Sequence, residues 1–169
     1  MTSANSLQTK EVIYLTVNEG VSGVYRSQVV DVIRVLSRLT PYPVRLVSIP
    51  SIRHFWKVRG ILKRELPNSQ IRPMFPKHRF WRFNLIHLLW GLRGGNGKAI
   101  IARGPIATNI ALLARRIGGA LSVCYDGRGA RSAEIQEYSP SAPLAGEMTA
   151  LERNAVRKSD FRVAVSQNP

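Results

Sequence analysis

The densest collection of groups able to do chemistry lies in residues 121–138, which read LSVCYDGRGARSAEIQEY. A short apolar run ends at Tyr125, a carboxylate follows at Asp126, and Gly127 and Gly129 then flank Arg128, with Arg131 just beyond. A carboxylate in that place can accept a hydrogen bond from a ligand hydroxyl, and a guanidinium can grip a phosphate or carboxylate through two parallel hydrogen bonds. Glycines leave no Cβ in the way and tolerate positive φ, so the residues after Asp126 are expected to form a turn that approaches a ligand closely. The run itself, with β-branched Val123 and aromatic Tyr125 between glycine-bearing flanks, is expected to be a buried strand. In an open α/β sheet the carboxyl end of such a strand is the usual ligand edge. An architectural reading of the same residues makes Asp126 a turn cap, the glycines chain-reversing and the arginines solvated.

A second candidate comes earlier in the chain. Residues 11–17 (EVIYLTV) have the β-branched, apolar character of a first and central strand. A turn with two glycines, NEGVSGV at 18–24, leads into a helix over 25–39, where Val29, Val32, Ile33, Leu36 and Leu39 recur at helical spacing before Pro41 and Pro43. The helix start offers unpaired N–H groups and a positive dipole end, against which a phosphate could sit at Gly20 or Gly23. Strand, glycine turn and helix make a Rossmann-like opening unit. The G-x-G-x-x-G fingerprint is absent, which speaks against NAD or FAD. A tight turn without a ligand is the other reading.

The remaining elements must position these two stretches. Strands are expected at 44–49, 70–74, 99–102 and 161–165, and helices at 51–66, after Pro105, and at 144–158. The last of these helices carries Glu147 and Glu152 toward its start and Arg157 and Lys158 at its end, the polarity the helix dipole favours. This alternation predicts an α/β fold: one three-layer Rossmann-like domain over 1–169 with a mostly parallel sheet. In such a sheet Asn18, Arg103, Asp126 and Ser166 line a common carboxyl edge.

Charge narrows the class of partner. The 169 residues hold 25 basic and 10 acidic side chains, a net charge of +15, which calls for a polyanionic partner or surface. Twelve of the basic residues fall between Arg53 and Arg103, where the acid is Glu65 alone. Two segments there interleave cations and aromatics: the 51–66 helix, and KHRFWRFNLIHLLWGLR at 77–93. They predict a membrane interface made by Trp56, Lys57, Lys63, Arg64, Arg79, Phe80, Trp81 and Arg82, with cations on anionic headgroups and aromatics at the acyl boundary. The alternative buries the leucines in the core and leaves the cations solvated. No helix-turn-helix, zinc or RNA-recognition signature is present, so nucleic acid is not the expected partner. No apolar run approaches the roughly 18 residues of a membrane span, and the polar start lacks the order of a signal peptide. A cytoplasmic location, peripheral at the inner face of the membrane, is therefore expected. Cys124 stands alone and reads as a small buried hydrophobe, and His54, His78 and His87 lack metal-ligand spacing, so no metal is expected.

Four segments, VIYLTVNEGVSGVYRSQV, IIARGPIATNIALLARRIG, VCYDGRGARSAEIQEY and LERNAVRKSDFRVAVSQ, extend over most of the chain. Together they resemble the N-terminal, acceptor-side domain of GT-B glycosyltransferases, in particular retaining enzymes of the glycosyltransferase 4 type. The resemblance implies two Rossmann-like domains face to face, the first holding the acceptor and the second a nucleotide-diphosphate sugar. It puts Gly20, Val21, Ser22 and Gly23 opposite the donor diphosphate, and Arg103, Asp126, Gly127 and Arg128 at the acceptor edge. It implies sugar transfer with retention to a glycan or lipid-linked acceptor, the nucleotide sugar being a substrate and no further cofactor being required. Members often carry a histidine near the end of a central strand; here Tyr125 and Asp126 stand at the strand end, and no catalytic residue is assigned. The donor-binding domain, with its paired glutamates, is absent, so the chain alone is expected to be an inactive half. A basic, non-enzymatic module for anionic membrane or nucleic acid is the competing class.

Overall fold

Six short strands pair in one sheet, every pair parallel: β1 (Glu11–Val17), β2 (Val44–Ile49), β3 (Gln70–Ile71), β4 (Lys98–Arg103), β5 (Leu121–Gly127) and β6 (Phe161–Ala164). Their spatial order is β3-β2-β1-β4-β5-β6, the doubly wound order in which the winding direction reverses between β1 and β4. These positions belong to a computed structural model that describes residues 10–75, 78–92, 97–118, 121–127 and 145–164. Parallel strands are covered on both faces and so read as near-continuous apolar runs, as EVIYLTV and VRLVSI do.

Helices supply the two covers. The first, α1, occupies residues 23–39 in three consecutive pieces: Gly23–Tyr25, a π-helical turn Arg26–Val30, and Asp31–Leu39. It shares one face of the sheet with α2 (Phe55–Glu65), where Val29, Val30, Ile33, Phe55, Val58 and Leu62 pack on Tyr14 and Leu46. On the other face lie α3 (Leu85–Gly91), α4 (Gly104–Gly118) and α5 (Ala145–Lys158), whose Leu88, Ile110, Ala114 and Leu151 pack on Ile13, Leu15, Val47, Ile100 and Val123. The period-two alternation of β1 assigns its side chains to the two cores: Ile13, Leu15 and Val17 to one, Tyr14 to the other. The protein is thus a three-layer α/β domain with an entirely parallel sheet, as its alternation of elements predicts.

Two boundaries depart from expectation. Strand β5 does not give way to a turn after Asp126: Asp126 and Gly127 continue the ladder opposite Val163 and Ala164 of β6. Gly127 lacks positive φ. What glycine provides there is room, because a Cβ would lie 2.8 Å from the Tyr125 ring, which folds back over it. The first helix begins at Gly23 rather than Tyr25, because Ser22 caps it by accepting the Tyr25 N–H at 3.1 Å.

Candidate functional site

The carboxyl ends of β1 and β4 diverge where the sheet reverses its winding, and each is turned by a left-handed residue. Asn18 (φ 59) follows β1 while its N–H still bonds the Ile49 carbonyl at 2.8 Å. Gly104 (φ 78) follows β4 and opens α4 at once. Arg103, the last residue of β4, therefore projects into the crevice beside the residues that follow β1. Its Nε donates to both carboxylate oxygens of Glu19, at 3.0 and 2.9 Å, and its Nη2 donates to Gln28 Oε1 at 2.7 Å. The Arg103 and Glu19 side chains are 12% and 19% exposed. The third nitrogen, Nη1, is buried and has no hydrogen-bond partner among the described residues. A guanidinium fixed on two sides with one nitrogen unspent is a preorganised group for an anion or a carbonyl oxygen.

Asp126 sits one strand over, in register with Arg103. It is 3% exposed, and its Oδ2 accepts the Tyr14 hydroxyl at 2.5 Å. That hydroxyl also lies 3.4 Å from the Gln28 carbonyl, so Gln28 stands between the Asp126 and Arg103 ends of the network. Asp126 is thus a buried acceptor within a strand, which corrects the turn-cap reading. A second polar group, Thr16, Ser48 and Tyr25, lies on the α1 side, its hydroxyls 3.1 to 3.5 Å apart. Burial raises the Tyr25 phenol, with the Ser48 and Thr16 hydrogen bonds opposing, and burial followed by the Glu152 carboxylate raises Tyr125. Burial, then the charge of Asp126, raises the Cys124 thiol. All three stay protonated at neutral pH, so they can donate or accept hydrogen bonds but supply no ready anionic nucleophile.

At the helix start, a shallow depression of about 290 Å³ is bounded by Asn18, Glu19, Gly20, Ser22 and Arg103. Gly20 is exposed, and a Cβ at Gly20 or Gly23 would meet nothing within 4 Å. Val21 is half-buried against the α1–α2 core. Arg103 and the 20–23 turn therefore flank one opening, whereas Asp126 lies beneath the edge. Gly127 continues β5, and Arg128, Arg131 and Ser166 lie outside the described residues.

The expected membrane residues divide. Trp56, Lys57, Lys63 and Arg64 are exposed on α2, and Lys63 also closes that helix by donating to the Pro67 and Ser69 carbonyls at 3.0 and 2.6 Å. Phe80 and Arg82 are exposed in the opposite layer, within a 3₁₀ stretch, His78–Asn84. Trp81 is a correction. It is buried at 4% exposure in the core beneath α3, and its Nε1 donates to Glu147 Oε1 of α5 at 2.9 Å, so it does not face outward. The Arg79 side chain lies outside the described set. Among the described residues no helix is long and apolar enough to cross a membrane.

His87, half-buried on α3, stacks on Phe75 with ring centroids 5.2 Å apart. Burial first and then the Arg72 charge lower its pKa below 6.5, with a hydrogen bond donated to the Pro73 carbonyl opposing. In the acid range the unfolded chain therefore takes up this proton before the folded one does. The His87 contribution is whole above pH 6.5 and is lost as pH falls below it. Urea midpoints at about pH 7.5 and about pH 5.5 should show a smaller decline in His87→Gln than in the parent chain.

Glu19, Gln28, Tyr14, Thr16 and Ser48 are site residues that sequence reasoning missed. The available signal was polarity out of place: Thr16 and Ser48 interrupt otherwise apolar strands and are register partners.

No family model matches the chain, and no curated protein matches it. Among solved structures it is similar to the N-terminal domain of trehalose-6-phosphate phosphatase from Candida albicans, at 9% identity, over 85% of this chain and 38% of that one, with a TM-score of 0.47. The chain thus spans well under half the length of that structure, and a likeness at that score says nothing of activity.

Proposed function

We propose that the chain is the acceptor-side domain of a glycosyltransferase that moves a sugar from a nucleotide-diphosphate sugar to a glycan or lipid-linked acceptor with retention. One observation carries the reading beyond sequence resemblance: Arg103 is locked at the sheet's switch point with Nη1 unspent, beside an open, capped helix start. In transfer, the bond from the anomeric carbon to the diphosphate oxygen breaks and its electron pair leaves on that oxygen. A new carbon–oxygen bond forms to the acceptor hydroxyl, whose proton passes to the departing phosphate or to solvent. Helix-start N–H groups and guanidinium donors stabilise the departing charge. Donor and acceptor must be held in reacting geometry, so the chain alone is expected to turn over no nucleotide sugar.

Gly20 provides the test. The fold places no demand on it, since its φ is not left-handed and a side chain there meets open space. Gly20→Val should therefore leave the unfolding free energy, from urea titration, within about 0.5 kcal/mol of the parent. Calorimetric titration with nucleotide-diphosphate sugars, and with sugar phosphates on short, water-soluble prenyl chains, should show binding that weakens about tenfold or more in Gly20→Val, as the ligand loses its close approach. Unchanged affinity in the variant, or no binding of either class by the parent chain, would overturn the reading.

A further inference from the structure

Helix α3 and the segment before it bear apolar groups on their outer side as well as their inner side. Leu88 and Trp81 reach the core, while Phe83, Ile86 and Trp90, spaced three and four residues apart, are 63%, 57% and 55% exposed. Such spacing lines one helical face, and an exposed apolar face of this kind turned away from the core is suited to docking. Phe80 and Phe75 extend it, with ring centroids 5.7 and 6.4 Å from Phe83. The platform is held from beneath. Asn84, fully buried, accepts the Phe75 N–H at 3.0 Å and donates to the Trp81 carbonyl at 3.1 Å, and Trp81 is tied to Glu147.

We propose that this surface docks the protein peripherally on an anionic lipid bilayer, Phe80, Phe83, Ile86 and Trp90 entering the headgroup–acyl boundary and Arg72 and Arg82 engaging headgroup phosphates. Charge identifies the occupant. Arg72 lies 5.9 Å from the Trp90 ring, Arg82 is exposed beside Phe83, and the sequence has no acidic residue between Glu65 and Asp126. A second copy on this face would set arginines against arginines, whereas an anionic surface matches both the cations and the Trp–Phe composition. The surface differs from the one the sequence suggests: Trp56 and Lys57 belong to the opposite layer, and Trp81 is its buried anchor. The proposal is independent of sugar transfer.

The test is co-sedimentation of the full chain with vesicles of phosphatidylcholine, alone or mixed with phosphatidylglycerol, at about 0.15 M salt. Binding should need the anionic lipid and weaken with added salt. It should fall about fivefold for each of Arg72→Ser and Arg82→Ser, and more steeply in the double variant Phe83→Ser with Trp90→Ser. Trp56→Ser should bind as the parent does. These positions are all exposed, and circular dichroism of each variant checks that the fold is kept. Equal binding to neutral vesicles, parent-level binding by the Phe83–Trp90 double variant, or a loss confined to Trp56→Ser would overturn the proposal. So would lipid-independent dimerisation that the same double variant abolishes, which would make the occupant a second copy.

Discussion

Replacing Arg103 by methionine is expected to lower folding stability by about 3 kcal/mol and, on the proposed reading, to abolish ligand binding at the carboxyl edge. Methionine fills much of the space but leaves Glu19 without its guanidinium and Gln28 Oε1 without its donor, in surroundings where Glu19 is 19% exposed. Removing one partner of a buried pair is costly because the other charge stays desolvated; some exposure at this edge puts the cost near the lower end of the usual range. Arg103→Lys keeps the charge but can serve either Glu19 or Gln28, so it should fall between the parent and methionine. Adding Glu19→Gln to Arg103→Met removes the charge that has lost its guanidinium and should recover part of the loss, with a coupling on the order of 2 kcal/mol across the cycle. Urea midpoints at unchanged denaturant slope give all four numbers. A loss below about 1 kcal/mol for methionine would mean a solvated pair of ordinary surface strength, and an Arg103 that is not preorganised.

The second large effect is expected at the Tyr14–Asp126 bond. Tyr14→Phe removes a single oxygen from a core position of β1, yet it takes from a carboxylate of 3% exposure the donor that sits 2.5 Å away. Hydrogen bonds to charged groups are worth roughly 1.5–3 kcal/mol, and about 2 kcal/mol is expected here. Asp126→Asn, which keeps the shape and an acceptor oxygen, should cost about 1 kcal/mol, and Asp126→Ala about 3 kcal/mol. Combining Tyr14→Phe with Asp126→Ala should cost clearly less than the two separate losses together, since both remove the same bond. Strict additivity would show that the two side chains act independently and would end the claim that this bond links β1 to β5 beneath the edge.

How far the sequence discloses these features depends on how local each is. The six strands were legible because parallel, doubly covered strands write themselves as apolar runs, and the three-layer, mostly parallel architecture followed from the alternation of elements, whereas the strand order did not. The edge strand expected over 70–74 is a two-residue ladder, but Arg72 and Met74 still donate to the Ser48 and Pro50 carbonyls at 3.0 and 2.8 Å, so the extended course was read correctly and its length was not. Gly127 was misread because a glycine that makes room for a tyrosine ring two residues back looks, in sequence, like a glycine that turns the chain. Trp81 was misread for a similar reason: its partner, Glu147, is 66 residues away, and FWRF gives the same pattern whether its indole meets lipid or a carboxylate. The partners of Arg103 lie 84 and 75 positions off, and no local pattern announces them.

The π-helical turn at Arg26–Val30 gives this site a dependence on chain length. It houses one residue more than an α-helical turn would, and with it Tyr25 and Gln28 reach the carboxyl edge while Val29, Val30 and Ile33 still fill the core. Each residue of an α-helix turns the chain by about 100°. Loss of one amino acid here would therefore rotate the capped start, Tyr25 included, away from Arg103 while the rest of α1 stayed seated. A chain with such a deletion would keep the same strands and the same cores, and would have lost the crevice to a change that alignment scores as a minor gap.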